Sequence, residues 1–335
     1  MRANRVIAVA LASGLALLAA ACSADDPPGT QPQAAGVDES QAPPPPPEHP
    51  FTGMPVKARR PVLAVKIENT SSGKPQIGVD KADIVYIEQV EGGLTRLMAI
   101  FSSRIPKEVG PVRSARISDL HILPMFGKPA LAYSGVQTKM IPFVQEASLF
   151  DVSDSAAPAA YFRYPGRYAP YNLVGTPSKL LREAAKATKA KDIGFVFSDE
   201  PPAGGVPKKS YGVRYPAARF TFGWSAAEKR WLVWQDGEKD MAAGGGQLGA
   251  ATVVVQYTKT ERSQFHDVNG SYTPLVHSTG KGTGIVLRDG QAYKVNWERP
   301  TEADGTSFTT ADGKPMTFAR GPVWVVLASR KPIQP

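Results

Sequence analysis

Three arginines stand at positions where a solvated surface charge is not expected. Arg96 interrupts the apolar stretch LTRLMAIF (94–101), and Arg113 and Arg116 lie in KEVGPVRSARISDLH (107–121). A guanidinium among apolar side chains must meet a carboxylate or a bound anion, because an unpaired buried charge is too costly. Two interpretations stay open: an internal network of arginines and carboxylates, or a site for an anionic ligand.

A predicted helix explains why Arg113 and Arg116 should act together. Pro111 suits the first turn of a helix, and at 100° per residue both arginines share a sector with Leu120 and Leu123. The helix would direct both guanidiniums toward the core, with its first N–H groups open to an anion. The carboxylates nearby in sequence that could pair with the arginines are Glu68, Asp83, Glu88 and Glu91.

Catalytic groups would have to come from Ser114, Glu91 or Asp119. Ser114 and His121 are seven residues apart on the side of the predicted helix away from the arginines, so they do not form a nucleophile–base pair by themselves. Four histidines without H-x-x-x-H or H-x-H spacing predict no zinc site, and we expect no metal or cofactor. A hydrolase or transferase acting on cell-envelope polymer is the alternative to a binding module.

Residues 1–21 predict an export signal. Arg2 and Arg5 precede an apolar run that is short for a membrane span, and the chain's one cysteine, Cys22, follows three alanines. The arrangement resembles the lipobox of bacterial lipoproteins, so Cys22 is the predicted lipidation site, with palmitate as an expected modification. The alternative is an ordinary signal peptide with an incidental cysteine. The lipobox reading predicts an exported protein anchored to the outer face of the cell membrane.

Residues 22–57 predict a disordered tether. They carry almost no apolar side chains and five consecutive prolines at 43–47, so they cannot bury enough surface to offset the entropy of ordering.

Loss of Arg2 and Arg5 with the signal lowers the formal net charge from +9 to +7. A basic exported protein favours anionic envelope polymers or lipid headgroups, although a generally basic surface explains the charge equally well. Nucleic acid is not an expected partner.

The elements that position these residues change in character along the chain. Residues 205–330 predict a mainly antiparallel sheet with Asp-Gly turns, in which the five tryptophans are better explained as core than as sugar-stacking platforms. The predicted elements of residues 58–200 are a strand at 61–69, a hairpin at 84–101 that turns through 91–93, a strand at 129–135 and a helix at 176–191.

The central motifs resemble the YerB-like lipoprotein family, whose domain of unknown function 3048 has N- and C-terminal parts. The family pattern is close to A-D-I-V-Y-E, V-E-G-G-x-T-R and G-P-V-R-S-A-R, which residues 82–86, 90–96 and 110–116 match. The resemblance implies an α/β (mixed α+β) body built as a three-layer β-β-α sandwich, on an envelope lipoprotein. It implies no activity.

The chain departs from the family pattern at two points. Residues 169–172 read Ala-Pro-Tyr-Asn where the family often has Ala-Pro-His-Asn, which argues against histidine chemistry, and Tyr86-Ile87-Glu88 stands where the family has Tyr-Glu.

Our first hypothesis is a non-catalytic module that binds an anionic envelope polymer or an envelope protein. The candidate ligand-binding residues are Arg96, Arg113, Ser114, Arg116 and Glu91, together with Asn69 at the end of the family's first strand.

Overall fold

The computed structural model describes residues 46–56 and 58–329. Within these residues no helix has both the length and the apolar character needed to cross a bilayer. The α-helices of this part are α1 (Ile117–Ile122), α2 (Ile141–Glu146) and α3 (Pro177–Glu183), and its 3-10 segments are Ser71–Gly73, Val79–Lys81, Glu91–Gly93, Leu123–Phe126, Thr138–Met140 and Pro158–Ala160. Its strands are β1 (Leu63–Ile67), β2 (Ile84–Gln89), β3 (Thr95–Phe101), β4 (Ala130–Ala132), β5 (Phe150–Asp151), β6 (Tyr161–Arg163), β7 (Leu173–Gly175), β8 (Val196–Phe197), β9 (Val206–Pro207), β10 (Ser210–Tyr215), β11 (Ala218–Ser225), β12 (Arg230–Gln235), β13 (Glu238–Lys239), β14 (Gly249–Ala250), β15 (Thr252–Tyr257), β16 (Thr260–His266), β17 (Tyr272–Val276), β18 (Gly280–Arg288), β19 (Gln291–Arg299), β20 (Ser307–Thr310), β21 (Thr317–Phe318) and β22 (Val323–Ala328).

One large sheet takes strands from both halves of the chain. Its order is β20-β19-β18-β15-β22-β2-β3-β1-β4-β5, with β9 beside β19. The last strand, β22, lies parallel between β15 and β2, where Val323 is in register with both Thr252 and Ile84. The two predicted parts, 58–200 and 205–330, therefore share one sheet.

The two faces of the large sheet bury different neighbours. Because successive residues of a strand point to opposite faces, Val85 and Tyr86 belong to two separate cores. Val85 shares its core with Phe220 and Phe222 of a second sheet, ordered β10-β11-β12-β13 with β14 beside β12. Tyr86 shares its core with α1 and the segment Leu123–Phe126. The mixed α+β, three-layer β-β-α fold is confirmed.

Several local predictions are confirmed. β2 and β3 form an antiparallel hairpin through Glu91–Gly93. Two Asp-Gly turns have Asp236 and Asp289 at φ +54° and +49°, the left-handed conformation that a tight hairpin turn needs. The tryptophans that fill the β cores as predicted are Trp231, Trp297 and Trp324.

The helix predicted at 176–191 is much shorter in the structure. It begins as expected at Pro177 but ends at Glu183. Beyond it, Thr188 accepts a hydrogen bond from Val62 and Ala190 donates one to Arg60. These contacts with the segment that leads into β1 satisfy the backbone in an extended form, so tertiary pairing overrides the helical propensity of this stretch.

The helix predicted to begin at Pro111 is wrong, because residues 109–116 are extended. The N–H of Val112 donates to the carbonyl of Leu173 at 2.7 Å, and the N–H of Arg113 donates to the carbonyl of Lys66 at 2.9 Å. The segment is thus bound on both sides, and α1 begins only at Ile117. The arginines are positioned by an extended segment rather than by a helix face.

The structure also corrects the predicted end of the tether at residue 57. His49 and Phe51 are buried, and Glu48 forms an isolated antiparallel bridge with Pro55. Arg320, near the other end of the chain, lies 2.7 Å from a carboxylate oxygen of Glu48. Residues 48–56, which we call the strap, therefore pack on the body; residues 22–45 of the predicted tether lie outside the described residues.

Candidate functional site: an arginine cleft

Four segments surround a cleft of about 640 Å³, which we call the arginine cleft. The extended segment 109–116 and the β2–β3 hairpin form one part of its wall, and the β16–β17 hairpin and residues 135–140 form the rest. Its charged and polar lining residues are Glu91, Arg96, Arg113, Ser114, Arg116, Gln137, Thr138, His266, Asp267 and Thr273, and its apolar ones include Leu94, Val136, Met140 and Val268.

Arg116 is held at the start of α1. It is the residue before the first helical turn, and its backbone N–H donates to Asp119 Oδ2 at 2.6 Å. Its side chain donates to Glu91 Oε2 from Nε at 2.8 Å and from Nη2 at 2.6 Å. The other oxygen of Glu91 accepts a hydrogen bond from the hydroxyl of Thr273. Burial alone would raise the pKa of Glu91, but Arg116 and these hydrogen bonds outweigh burial and lower it.

Arg113 is paired with Glu68, which lies outside the cleft lining. Its Nε lies 2.7 Å from Glu68 Oε2, although the N–H is not aligned as a hydrogen bond. The second oxygen of Glu68 accepts the backbone N–H groups of Asn69 and Thr70, each at 2.9 Å. Burial opposes ionisation of Glu68, but Arg96 and Arg113 lower its pKa overall. Glu68 is therefore an ionised counter-charge behind Arg113.

Arg96 is the cation of the cleft that lacks a carboxylate. It is only 8% exposed, and its Nη1 donates to the carbonyl of Ser114 at 3.2 Å. Among the described residues, no carboxylate oxygen lies within 4 Å of it, and its Nε has no hydrogen-bond partner. Burial, and then the charge of Arg116, lower its pKa to about 10, although Glu68 and Glu91 act in the opposite direction. The local field around Arg96 therefore favours an additional negative charge.

A fully buried ionic group lies next to the cleft. Lys66 contacts both Glu88 and Asp119, with Nζ 2.7 Å from Asp119 Oδ1. Glu88 stands opposite Arg96 in the β2–β3 register, and Asp119 binds the backbone of Arg116. The triad of Lys66, Glu88 and Asp119 thus supports two of the segments that carry the cleft arginines.

The structure brings together most of the residues proposed from the sequence. Arg96, Arg113, Arg116, Glu91 and Ser114 all line the cleft, including Ser114, which the wrong helix had placed away from the arginines. Their role in binding a ligand remains a prediction.

The other sequence candidates lie elsewhere. Asn69 is buried outside the cleft lining, where Nδ2 donates to Thr95 and Oδ1 accepts from Gln76, each at 3.0 Å. His121 contacts Glu302, away from the arginines, and Cys22 lies outside the described residues.

Sequence reasoning missed Lys66 and the β16–β17 hairpin. The signal for Lys66 was present, since it is the single charge in the apolar strand LAVKI. Thr273 and Val268 reach the cleft from far along the chain, and no local pattern indicates that contact.

Comparisons with known proteins agree on one family. Residues 51–191 match the family model "Protein of unknown function (DUF3048) N-terminal domain", and residues 211–325 match the corresponding "C-terminal domain". "Putative lipoprotein YerB" of Bacillus subtilis (strain 168) is 26% identical over 298 residues, covering 82% of this chain and 84% of that protein. The crystal structure of YerB protein from Bacillus subtilis superposes with a TM-score of 0.70 at 19% identity, covering 84% of this chain and 96% of that chain. This likeness shows a common fold.

Proposed function

Because this chain belongs to the DUF3048 family, which includes a relative named as a lipoprotein, we propose that it is an exported, membrane-anchored lipoprotein whose arginine cleft binds an anionic ligand. The observation that carries the proposal is the charge inventory of the cleft. Arg96, Arg113 and Arg116 share two carboxylates, Glu68 and Glu91, which pair with Arg113 and Arg116, so among the described residues the buried Arg96 has no carboxylate oxygen within 4 Å.

A further carboxylate in the lining, Asp267, lies within 4 Å of none of the three cleft arginines. Asp267 uses its Oδ1 to accept the N–H groups of Asn269 and Ser271, each at 2.9 Å, and so closes its own hairpin turn. A bound anion would instead sit among guanidiniums that are already desolvated and positioned. Ion-paired and charge-assisted hydrogen bonds in such surroundings are stronger than those at an exposed surface.

Replacement of Arg96 separates a binding role from a structural one. Removing a buried cation that lacks a carboxylate relieves its desolvation penalty and loses one hydrogen bond, so Arg96→Met should change the free energy of unfolding by no more than about 1 kcal/mol. The same change should weaken binding of inorganic polyphosphate by at least about tenfold, since it removes one charged contact.

The measurement is calorimetric titration of the full-length protein in detergent, alongside urea unfolding of each variant. Lys281→Met is the matched control, because Lys281 is exposed and lies outside the cleft. A strongly destabilised Arg96→Met variant that binds polyphosphate as well as the parent would make Arg96 structural and would end the proposal.

The anchor is tested separately. Metabolic labelling with palmitate should mark the parent chain and fail to mark Cys22→Ser, which should also leave the membrane fraction. Equal labelling of both would show that Cys22 is not the lipidation site.

The alternative of an envelope hydrolase or transferase has less support from the geometry. Arg116 lowers the pKa of Glu91 and occupies one of its oxygens, so Glu91 is suited to hold Arg116 rather than to donate a proton.

A further inference from the structure

An aromatic loop continues the arginine cleft onto the surface. Residues 164–172, which we call the tyrosine loop, connect β6 to β7. Arg113 Nη1 donates to the carbonyl of Pro170 at 3.4 Å, and the guanidinium carbon lies 5.5 Å from the centre of the Tyr171 ring. A single side chain, Arg113, therefore borders both the cleft and the loop.

The loop presents an aromatic face that is open to solvent and anchored at its base. Tyr168 is 68% exposed and packs edge-on against Tyr171, with the ring centres 5.6 Å apart. Arg167 Nη2 donates to the carbonyl of Pro75 at 2.7 Å, and Asn172 donates to the carbonyl of Arg167. Tyr168 contacts Tyr171, which in turn contacts Arg113 of the cleft. The hydrogen bonds of Arg167 and Asn172 hold the loop that carries these rings.

The cleft has a larger volume and more kinds of lining group than an inorganic anion needs. Its volume of about 640 Å³ corresponds to ~20 water molecules, which is far larger than a phosphate or carboxylate group needs. Ser114, Gln137 and Thr138 add neutral groups that can both donate and accept hydrogen bonds. Ligand hydroxyls are the natural counterparts of such groups, while the apolar walls suit the C–H faces of a ring.

We propose that the arginine cleft and the tyrosine loop together bind an anionic glycan, with a carboxylate or phosphate of the glycan on the arginines and a neighbouring sugar ring on the face of Tyr168. The inference rests on the proposed function, because it assumes that the cleft binds anions. It adds the chemical class of the ligand. Aromatic side chains with one polar end suit a partner that is apolar on one face and hydroxylated at its edge.

The backbone argues against an acidic protein segment as the occupant. A peptide that binds by adding a strand needs a free edge of main-chain N–H and C=O groups. The extended segment that carries the arginines is already bound on both sides, since Val112 donates to Leu173 and Arg113 to Lys66. Ala115 donates to Gly135 in addition. This segment therefore offers no free edge to an added strand.

The experiment measures binding of defined probes to the full-length protein in detergent. The probes are oligogalacturonate as a carboxylate glycan, a phosphodiester-linked mannan as a phosphate glycan, neutral cellohexaose, oligoglutamate and inorganic polyphosphate. We expect at least one anionic glycan to bind about tenfold more tightly than polyphosphate or oligoglutamate, with cellohexaose weakest. Tyr168→Ala should weaken glycan binding about tenfold and leave polyphosphate binding unchanged.

The control is Tyr272→Ala. Tyr272 is also exposed and also lies against an arginine, Arg262, but it points to the opposite face of its strand from the cleft residue Thr273. Equal binding of glycans and polyphosphate, with no effect of Tyr168→Ala, would overturn the glycan inference and leave the anion-binding proposal standing. Tightest binding of oligoglutamate would overturn it in favour of an acidic protein. Binding of none of the anionic probes would defeat both proposals.

Discussion

Replacing Glu88 with glutamine should leave the protein folded at pH 6 and remove a loss of stability at higher pH. Glu88, Lys66 and Asp119 are fully buried, so two carboxylates face one ammonium. Burial, and then the charge of Asp119, raise the pKa of Glu88 to about 8. At neutral pH the folded protein therefore holds Glu88 protonated beside a balanced pair of Lys66 and Asp119. A glutamine reproduces the shape and neutrality of that state.

The size of the effect follows from the two pKa values. In the unfolded chain Glu88 titrates near its ordinary value of 4.5. Between pH 4.5 and 8 the folded state keeps a proton that the unfolded state has lost, so the free energy of unfolding falls by about 1.4 kcal/mol per pH unit. The contribution is complete below pH 4.5 and is lost as the pH rises through 8. From pH 6 to pH 9 the loss is about 2.5 kcal/mol in the parent and absent in Glu88→Gln.

Urea unfolding followed by tryptophan fluorescence at pH 6, 7, 8 and 9 measures this difference. Every other titrating group is common to both proteins, so the gap between their stability curves isolates Glu88. For Glu298→Gln, at an exposed position, the curve of unfolding free energy against pH should run parallel to that of the parent. Asp119→Asn removes one of the charges that raise the pKa of Glu88 and leaves Glu88 in contact with Lys66, so Glu88 should ionise at lower pH and the fall in stability between pH 6 and pH 9 should be smaller than in the parent. Parallel curves for the parent and Glu88→Gln would refute the reasoning.

Three further substitutions test the other supports of the fold. Arg116→Ala should destabilise the protein by about 3 kcal/mol in urea unfolding, because it leaves the buried Glu91 without its cation, whereas Lys281→Ala at an exposed pair should change stability by less than about 0.5 kcal/mol. Phe51→Ala should cost about 3–5 kcal/mol if the strap is part of the core, and an unchanged melting temperature would contradict that assignment. Gly53→Ala should cost about 1–3 kcal/mol, since Gly53 has a φ of +64° and an added Cβ would lie 2.5 Å from the Phe197 side chain; wild-type stability would rule out this crowding.

Local patterns predicted the parts of the fold that depend on local interactions. The hairpin of β2 and β3 has strong strand formers on both sides of a Gly-Gly turn, so it was predictable. The position of β22 between β15 and β2 was not, because no local feature specifies which distant strands pair. The helix at Pro111 failed for the same reason. Hydrogen bonds from Val112 to Leu173 and from Arg113 to Lys66 fix an extended backbone that propensity does not favour.

The three arginines singled out from the sequence all line the cleft, although the helix predicted to carry Arg113 and Arg116 was wrong. A charge within an apolar stretch implies a nearby counter-charge in any fold, so Arg96 and Arg116 were notable without knowledge of the backbone. Which carboxylate forms an ion pair with which cation depends on the tertiary structure. Glu68 and Glu91 pair with arginines, whereas Glu88 turns to Lys66 and Asp83 caps the backbone of Ser102.

The arrangement of charges around Arg96 is our reason for proposing a binding site rather than a stabilising network. A network selected for stability would pair its charges and exclude water, as Lys66 and Asp119 do at zero exposure. Arg96 is nearly as buried, and burial and the charge of Arg116 outweigh the attraction of Glu68 and Glu91 and lower its pKa, so its charge costs folding free energy in the absence of an anion. Such a cost is typical of functional sites, where residues are held ready for a partner at the expense of stability. A negative ligand at Arg96 would supply a nearby counter-charge, so ligand at a concentration well above both Kd values should raise the stability of the parent protein by about 1.4 kcal/mol more than that of Arg96→Met.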